Sequence, residues 1–269
     1  MFGARVLTRV TRHPHAAASM HPETLRPRTF TELVDAGFAM FRDQYATLVV
    51  AVSVILLPPV LLRAIVGPGV GFLVLQIVEN LLYLMADGAV VVLVSERLLG
   101  RRPDLGNALR LTFARSSSLI WSSLLRGLAI VIGFLLLVVP GVWAIAAFFA
   151  MPMIVMLEDI DGSDASARSY QLARGHILRI LAVLGVGFLA LVVYVMVGAA
   201  LLGLLGLGER GIDVVTSVLF VTAYPLPSVL ATMLYFDLRT RKEGLDLEMM
   251  ASRLPDATVA VGAPTIPQR

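Results

Sequence analysis

The chain has 269 residues, 58% of them hydrophobic and only 15% charged, with a mean hydropathy of +0.84. Soluble domains are roughly 45–50% apolar and about 25% charged, and here the apolar excess falls in repeated blocks of about 20 residues, the length that crosses a hydrocarbon core. That excludes a soluble enzyme and a single-anchor protein, and the absence of cysteine excludes disulfides, iron–sulfur clusters and thiolate metal sites.

The formal net charge of +3 does not point to nucleic acid, because nearly all the basic residues fall in the polar segments that flank and separate the apolar blocks. They number 21 Arg and one Lys, Lys242. Such confinement is the pattern of membrane topology.

Residues 1–28 carry five Arg and one acid, without the apolar run of a secretory signal. A disordered basic leader is expected there, with Met20 as a second candidate start. Thr29-x-x-Glu32 is a capping-box pattern, in which hydroxyl and carboxylate each satisfy a free backbone N–H. Phe30, Leu33, Val34, Phe38 and Phe41 follow at helical spacing, which predicts an amphipathic helix along the membrane interface.

Six spans are predicted after it. The first covers 45–66 and contains Pro58-Pro59, which predicts a bend. Gly67-Pro68-Gly69 turns the chain into the second, 70–96. A polar segment with a short helix from Asp104 leads to the third, 117–139. Pro140-Gly141 reverses the chain into the fourth, which ends near 157. A polar helix from Ser163-Asp164 precedes the fifth, 177–207, and the sixth runs 213–236. The expected organisation is a leader at 1–28, an all-α polytopic membrane domain at 29–254 and a disordered tail at 255–269.

Nineteen Lys and Arg fall on the side of the termini and long loops, against Arg63 and Arg210 on the other. The positive-inside rule then places both termini in the cytoplasm. An amphipathic helix with an Arg near its end precedes each hairpin, and Arg42, Arg115 and Arg174 hold matching places. This suggests three copies of interfacial helix plus hairpin, although interfacial helices entering a membrane also resemble one another without repetition.

Polar residues inside a membrane are expensive and mark the places where chemistry can sit. Gln76, Asn80, Tyr83 and Asp87 share one face of the second span, with Glu79 at its edge. Arg126 stands alone in the third span. Counted from the cytoplasmic ends at about 1.5 Å per residue, Asp87 and Arg126 both lie roughly 15 Å deep. An Asp87–Arg126 ion pair is therefore expected, favoured as a structural clamp over a substrate or proton site.

No catalytic constellation is found: HExxH, the phosphate-binding Gly-x-x-x-x-Gly-Lys and Gly-x-Ser-x-Gly are absent. The serines at 116–118, 122 and 123 read as helix-packing residues rather than nucleophiles. Glu158, Asp159, Asp161 and Asp164 read as a turn leading into a helix rather than a cation site. Tyr224-Pro225-Leu226-Pro227 predicts a break in the sixth span, either a packing kink or backbone opened to a ligand.

Three stretches, PGVWAIAAFFAMPMIVMLED, ARSYQLARGH and MLYFDLRTRKEGLDLE, together resemble the bacterial membrane-domain family fused to some glycerophosphoryl diester phosphodiesterases and also found as stand-alone proteins. The opening RPRTFTELVDAGFAMFRDQYATL fits the same pattern, so the resemblance covers 26–254. It implies a six-helix membrane domain, and it carries over no diesterase activity because the catalytic barrel has no counterpart in this sequence. In the tail motif, Asp237, Arg239 and Arg241 stand where the sixth span leaves the membrane, with Arg115 and Arg174 on the interfacial helices as candidate companions.

The reading of first choice is a non-catalytic scaffold or accessory protein of the bacterial inner membrane, without cofactor or metal, binding membrane lipids or an envelope protein. The alternative is a small transporter or lipid-translocating protein that uses the second-span stripe and Arg126.

Overall fold

A computed structural model describes residues 27–66, 69–204 and 208–244; the leader before residue 27, the Gly67-Pro68 part of the first turn and the tail from 245 lie outside them. The described residues form eleven α-helices and no strand. In chain order these are α1 (Phe30–Asp43), α2 (Tyr45–Ile65), α3 (Val70–Leu98), α4 (Leu105–Ala114), α5 (Ser116–Leu136) and α6 (Val138–Ala147). They continue with α7 (Met151–Glu158), α8 (Gly162–Ala173), α9 (Ile177–Gly203), α10 (Glu209–Ala223) and α11 (Pro225–Glu243). Six spans long and apolar enough to cross a bilayer are present: α2, α3, α5, α6 with α7, α9, and α10 with α11. The chain is an all-α polytopic membrane bundle.

Local chemistry accounts for where helices start and break. The Thr29 capping box is formed, with the Glu32 N–H donating to Thr29 Oγ1 at 3.3 Å and the Thr29 N–H to Glu32 Oε2 at 2.8 Å. Asp104 caps α4 through the Gly106 and Asn107 N–H groups, and Glu96 at the end of α3 accepts from both the Asp104 N–H and Asn107 Nδ2. The fourth span, expected to be continuous, breaks between α6 and α7 because Pro152 has no N–H for the Phe148 carbonyl. Ser169 of α8 fills that gap, donating to the Ala147 carbonyl at 2.9 Å and accepting from the Ala150 N–H at 3.2 Å. Pro58 and Pro59 do not interrupt their span, for α2 continues as one helix through both. The sixth span is interrupted at Tyr224, whose backbone stays α-helical, where Pro225 and Pro227 remove the donors on either side of Leu226.

Packing follows a cyclic plan. Each interfacial helix lies against the termini-side end of a hairpin's second span: α4 on α3, α8 on α7, and α1 on α11. The last contact closes the ring, because α11 belongs to the third hairpin and α1 introduces the first. Gly37 permits the α1–α11 approach, since a Cβ there would run into the Leu230 side chain. The core sits on the termini side: α3 is buried continuously from Met85 through Ser95 except for Asp87. On the far side the same helix opens out, and Val70, Leu73, Val74, Ile77 and Leu81 are exposed. The facing half of α5 does the same at Leu124, Leu128 and Val131. The bundle is tight at one end and loose at the other.

Candidate functional site: a polar chain through the bundle

Asp87 and Arg126 lie within electrostatic reach of each other, and Asp87 also faces the Ser228 hydroxyl. Yet no ion pair joins Asp87 to Arg126 among the described residues, and both side chains remain only half-buried. Tyr224, at the break in the sixth span, sits within the reach of both charges. Its ring lies 5.0 Å from Tyr83 and 5.7 Å from Phe220, and Tyr83 and Phe220 meet edge-on at 5.6 Å. The Tyr224 hydroxyl donates to the Tyr83 carbonyl at 3.3 Å, a bond that ties the broken span to α3. The Ser228 hydroxyl is buried against the Asp87 carboxylate. These residues gather at mid-depth, where α3 packs against α5 and α11.

The polar chain continues from there to the far side. The Tyr83 hydroxyl donates to Glu79 Oε1 at 3.4 Å. Glu79 is buried and pairs with Arg63 at 3.0 Å, and Arg63 also reaches Asp213 at 3.6 Å and donates to Ser217 Oγ at 2.7 Å. Arg63, counted from sequence as a charge of the far-side turn, is thus inside the bundle, with 10% of its side chain exposed. It is Glu79, rather than Asp87, that holds a buried Arg. Gln76 and Asn80 lie on the same stripe but are exposed, and Asn80 Nδ2 turns back onto the Gln76 carbonyl at 2.7 Å.

A second polar assembly closes the termini side around two buried carboxylates. Glu158 at the end of α7 accepts from the Tyr235 hydroxyl at 2.6 Å and from Arg168 Nε at 2.9 Å. Arg168 and Arg239 both reach Glu243. Burial opposes the charge on Arg168, but the hydrogen bond and charge of Glu158 and the charge of Glu243 prevail and raise its pKa. Asp237 is the other centre. Its Oδ1 accepts the Arg28 N–H at 2.7 Å, and its Oδ2 accepts from Arg179 and Arg241, both at 2.9 Å. The Arg28 carbonyl takes further bonds from the same two guanidinium groups, so the entering chain is strapped to α9 and α11.

Arg115 and Arg174 stand apart from this assembly. Arg115 pairs with Asp159 at 2.8 Å and donates to the Val155 and Met156 carbonyls, which caps α7. Arg174 is exposed, and its carbonyl, like that of Gln171, accepts from Lys242 Nζ. The serine cluster and the acidic loop explain each other: Ser118 Oγ donates to Asp161 at 2.9 Å, and Ser122 Oγ accepts the Gly162 N–H at 2.9 Å. They fasten the α7–α8 turn to α5.

No protein-family model, curated protein or solved structure matches the chain.

Proposed function

We propose that the chain is a lipid-translocating membrane protein whose mid-depth polar cluster of Asp87 and Arg126 meets the polar headgroup of an amphiphile. The observation that carries this reading is the state of Asp87 and Arg126. A charged side chain at mid-membrane costs about 2.5–3.5 kcal/mol on insertion scales, and a structural clamp offsets that cost by direct pairing. Here the charges lie near each other without an ion pair and keep part of their surface accessible. The Ser228 hydroxyl beside Asp87 answers part of that cost, and water or a polar headgroup at the accessible part of Arg126 would answer more. The exposed apolar side chains of α3 and α5 suit the acyl chains of a lipid whose headgroup turns inward. At the same level the sixth span lacks the backbone N–H groups of Pro225 and Pro227.

In this reading the termini side faces the cytoplasm of a bacterial cell, in keeping with the nineteen-to-two distribution of Lys and Arg. The family resemblance of residues 26–254 belongs to the same proposal. A scaffold or accessory role is the second reading, favoured by the strapped face around Asp237, Arg239 and Arg241, where clustered cations attract anionic lipid.

The test is reconstitution into vesicles containing a fluorescent phospholipid, followed by quenching from outside with a membrane-impermeant reductant. Wild type is expected to expose inner-leaflet probe faster than protein-free vesicles. Asp87→Asn and Arg126→Gln should each bring the rate back toward that background while the purified variants keep their melting temperature. Wild-type vesicles no faster than protein-free ones would overturn the translocation reading and leave the scaffold.

A further inference from the structure

The charges of the termini side are not shared evenly among its three interfacial helices. At the α3–α4 corner the two acids are turned inward: Glu96 accepts from the Asp104 N–H at 2.9 Å and from Asn107 Nδ2 at 2.8 Å, and Asp104 caps α4. Arg97, Arg102 and Arg110 of the same corner are exposed, and the side chain of none of them forms an ion pair or hydrogen bond with a described residue. By contrast, Arg42 at the end of α1 stands among the exposed acids Asp35 and Asp43, and α8 begins at the exposed Asp161 and Asp164. The helix α4 runs back along α3: Asp104 is level with Glu96 through their hydrogen bond, and Thr112 lies against Gly88, where a Cβ would come within 3.1 Å of its methyl group. Ala108 and Thr112 form the buried face of α4. Arg110 and Phe113, three residues apart, share the outward face, and Phe113 is 52% exposed. At about 1.5 Å per residue the ring sits about 4.5 Å deeper than the Arg110 backbone. A free guanidinium above an exposed ring, on the flank of a membrane helix, presents charge to the headgroup level and apolar surface to acyl chains.

We infer that the α3–α4 corner is a docking surface for an anionic phospholipid of the termini-side leaflet, with its phosphate on Arg110, Arg97 and Arg102 at the rim, and an acyl chain along Phe113. Guanidinium groups take phosphate oxygens through charge-assisted hydrogen bonds, and no competing carboxylate is left free at this corner. Charge alone would suit a soluble acidic segment equally well. The exposed ring below Arg110 favours a partner that carries phosphate and hydrocarbon together. This surface is separate from the Asp87–Arg126 cluster and does not depend on translocation.

Native mass spectrometry of the full chain in detergent, offered equal amounts of phosphatidylglycerol and phosphatidylcholine, tests this. Wild type is expected to retain the anionic lipid at least about tenfold over the zwitterionic one. Each cation near an anionic headgroup contributes about fivefold in affinity, so Arg110→Gln should lower phosphatidylglycerol retention by about that factor. Arg110→Lys should keep most of it, and Arg42→Gln, which removes the same charge from the end of α1, should leave it unchanged. Phe113→Ser, with every charge in place, should lower retention severalfold, and it tests the surface even if Arg110→Gln fails to fold. An equal drop in Arg42→Gln and Arg110→Gln would reduce the binding to net charge and overturn the site, as would equal retention of the two lipids by wild type. Loss of bound lipid to added glycerol 3-phosphate would show that phosphate suffices without an acyl chain and would overturn the lipid assignment.

Discussion

Replacing Asp237 by Asn strikes the place where the entering chain, α9 and α11 are joined. The carboxylate is buried, with 3% of its side chain exposed, and accepts three hydrogen bonds of 2.7–2.9 Å, two of them from guanidinium groups. Asparagine keeps one acceptor oxygen and presents an NH2 group to Arg179 or Arg241, which have nothing to accept with. Removing one partner of a buried pair costs about 3–5 kcal/mol. Arg179 and Arg241 retain 21% and 29% side-chain exposure, so solvent screening brings the expected loss down to about 2–3 kcal/mol. The assay is equilibrium unfolding in mixed micelles with increasing denaturing detergent, read by tryptophan fluorescence. Adding Arg179→Gln should recover part of the loss, because it removes one stranded cation. Wild type, the two single variants and the double variant form a double-mutant cycle whose coupling reports the pair itself. An Asp237→Asn variant as stable as wild type, or a cycle with additive losses, would refute the reasoning that this contact holds the termini side together.

Three further outcomes follow from the geometry. Glu79→Gln should destabilise the fold by about 2–4 kcal/mol by stranding Arg63 within the bundle, and Arg63→Gln in the same chain should partly restore it; detergent unfolding reads both. Gly162→Ala should cost about 1–2 kcal/mol, since Gly162 has φ +59° and a Cβ would lie 3.2 Å from Trp121 Nε1, and Trp121 fluorescence should shift as the α7–α8 turn loosens. His176 has its pKa lowered by burial first and then by the charges of Lys242, Arg241 and Arg179, against an opposing Asp237. The unfolded chain takes up that proton near pH 6.5 and the folded chain only at lower pH, so stability should decline as pH falls below about 6.5; melting curves of wild type and His176→Asn should converge above that pH and separate below it.

The helices were legible in the sequence for simple physical reasons. Apolar length marks the spans, Thr29 and Asp104 carry the caps of α1 and α4, and paired prolines mark the break at Tyr224. The break before Pro152 had a signal in the sequence, a proline well inside the fourth span, whereas the mending residue, Ser169, is distant in sequence. Depth counting brought Asp87 and Arg126 to the same level but not into a pair. Residue counts measure height along a helix and say nothing of its azimuth against its neighbours, so Glu79 rather than Asp87 meets a buried Arg. Glu158 was read as part of a turn although it gathers Tyr235 and Arg168. An acid ending an apolar span opposite a cation-rich tail was the signal available. The Asp237–Arg241 and Arg239–Glu243 pairs at four-residue spacing were readable in the tail motif itself.

The account rests on a polar path that opens on the side away from the termini and reaches mid-membrane. Because the chain has no cysteine, single replacements report water access without background. Gln76→Cys, Asn80→Cys and Val90→Cys in sealed, oriented vesicles should be treated with a membrane-impermeant maleimide from the far side. Cysteines at 76 and 80 are expected to react within minutes, and the one at the enclosed position 90 should stay unmodified. Protection at both 76 and 80 would mean that the stripe faces lipid rather than water, and would contradict the account at its centre.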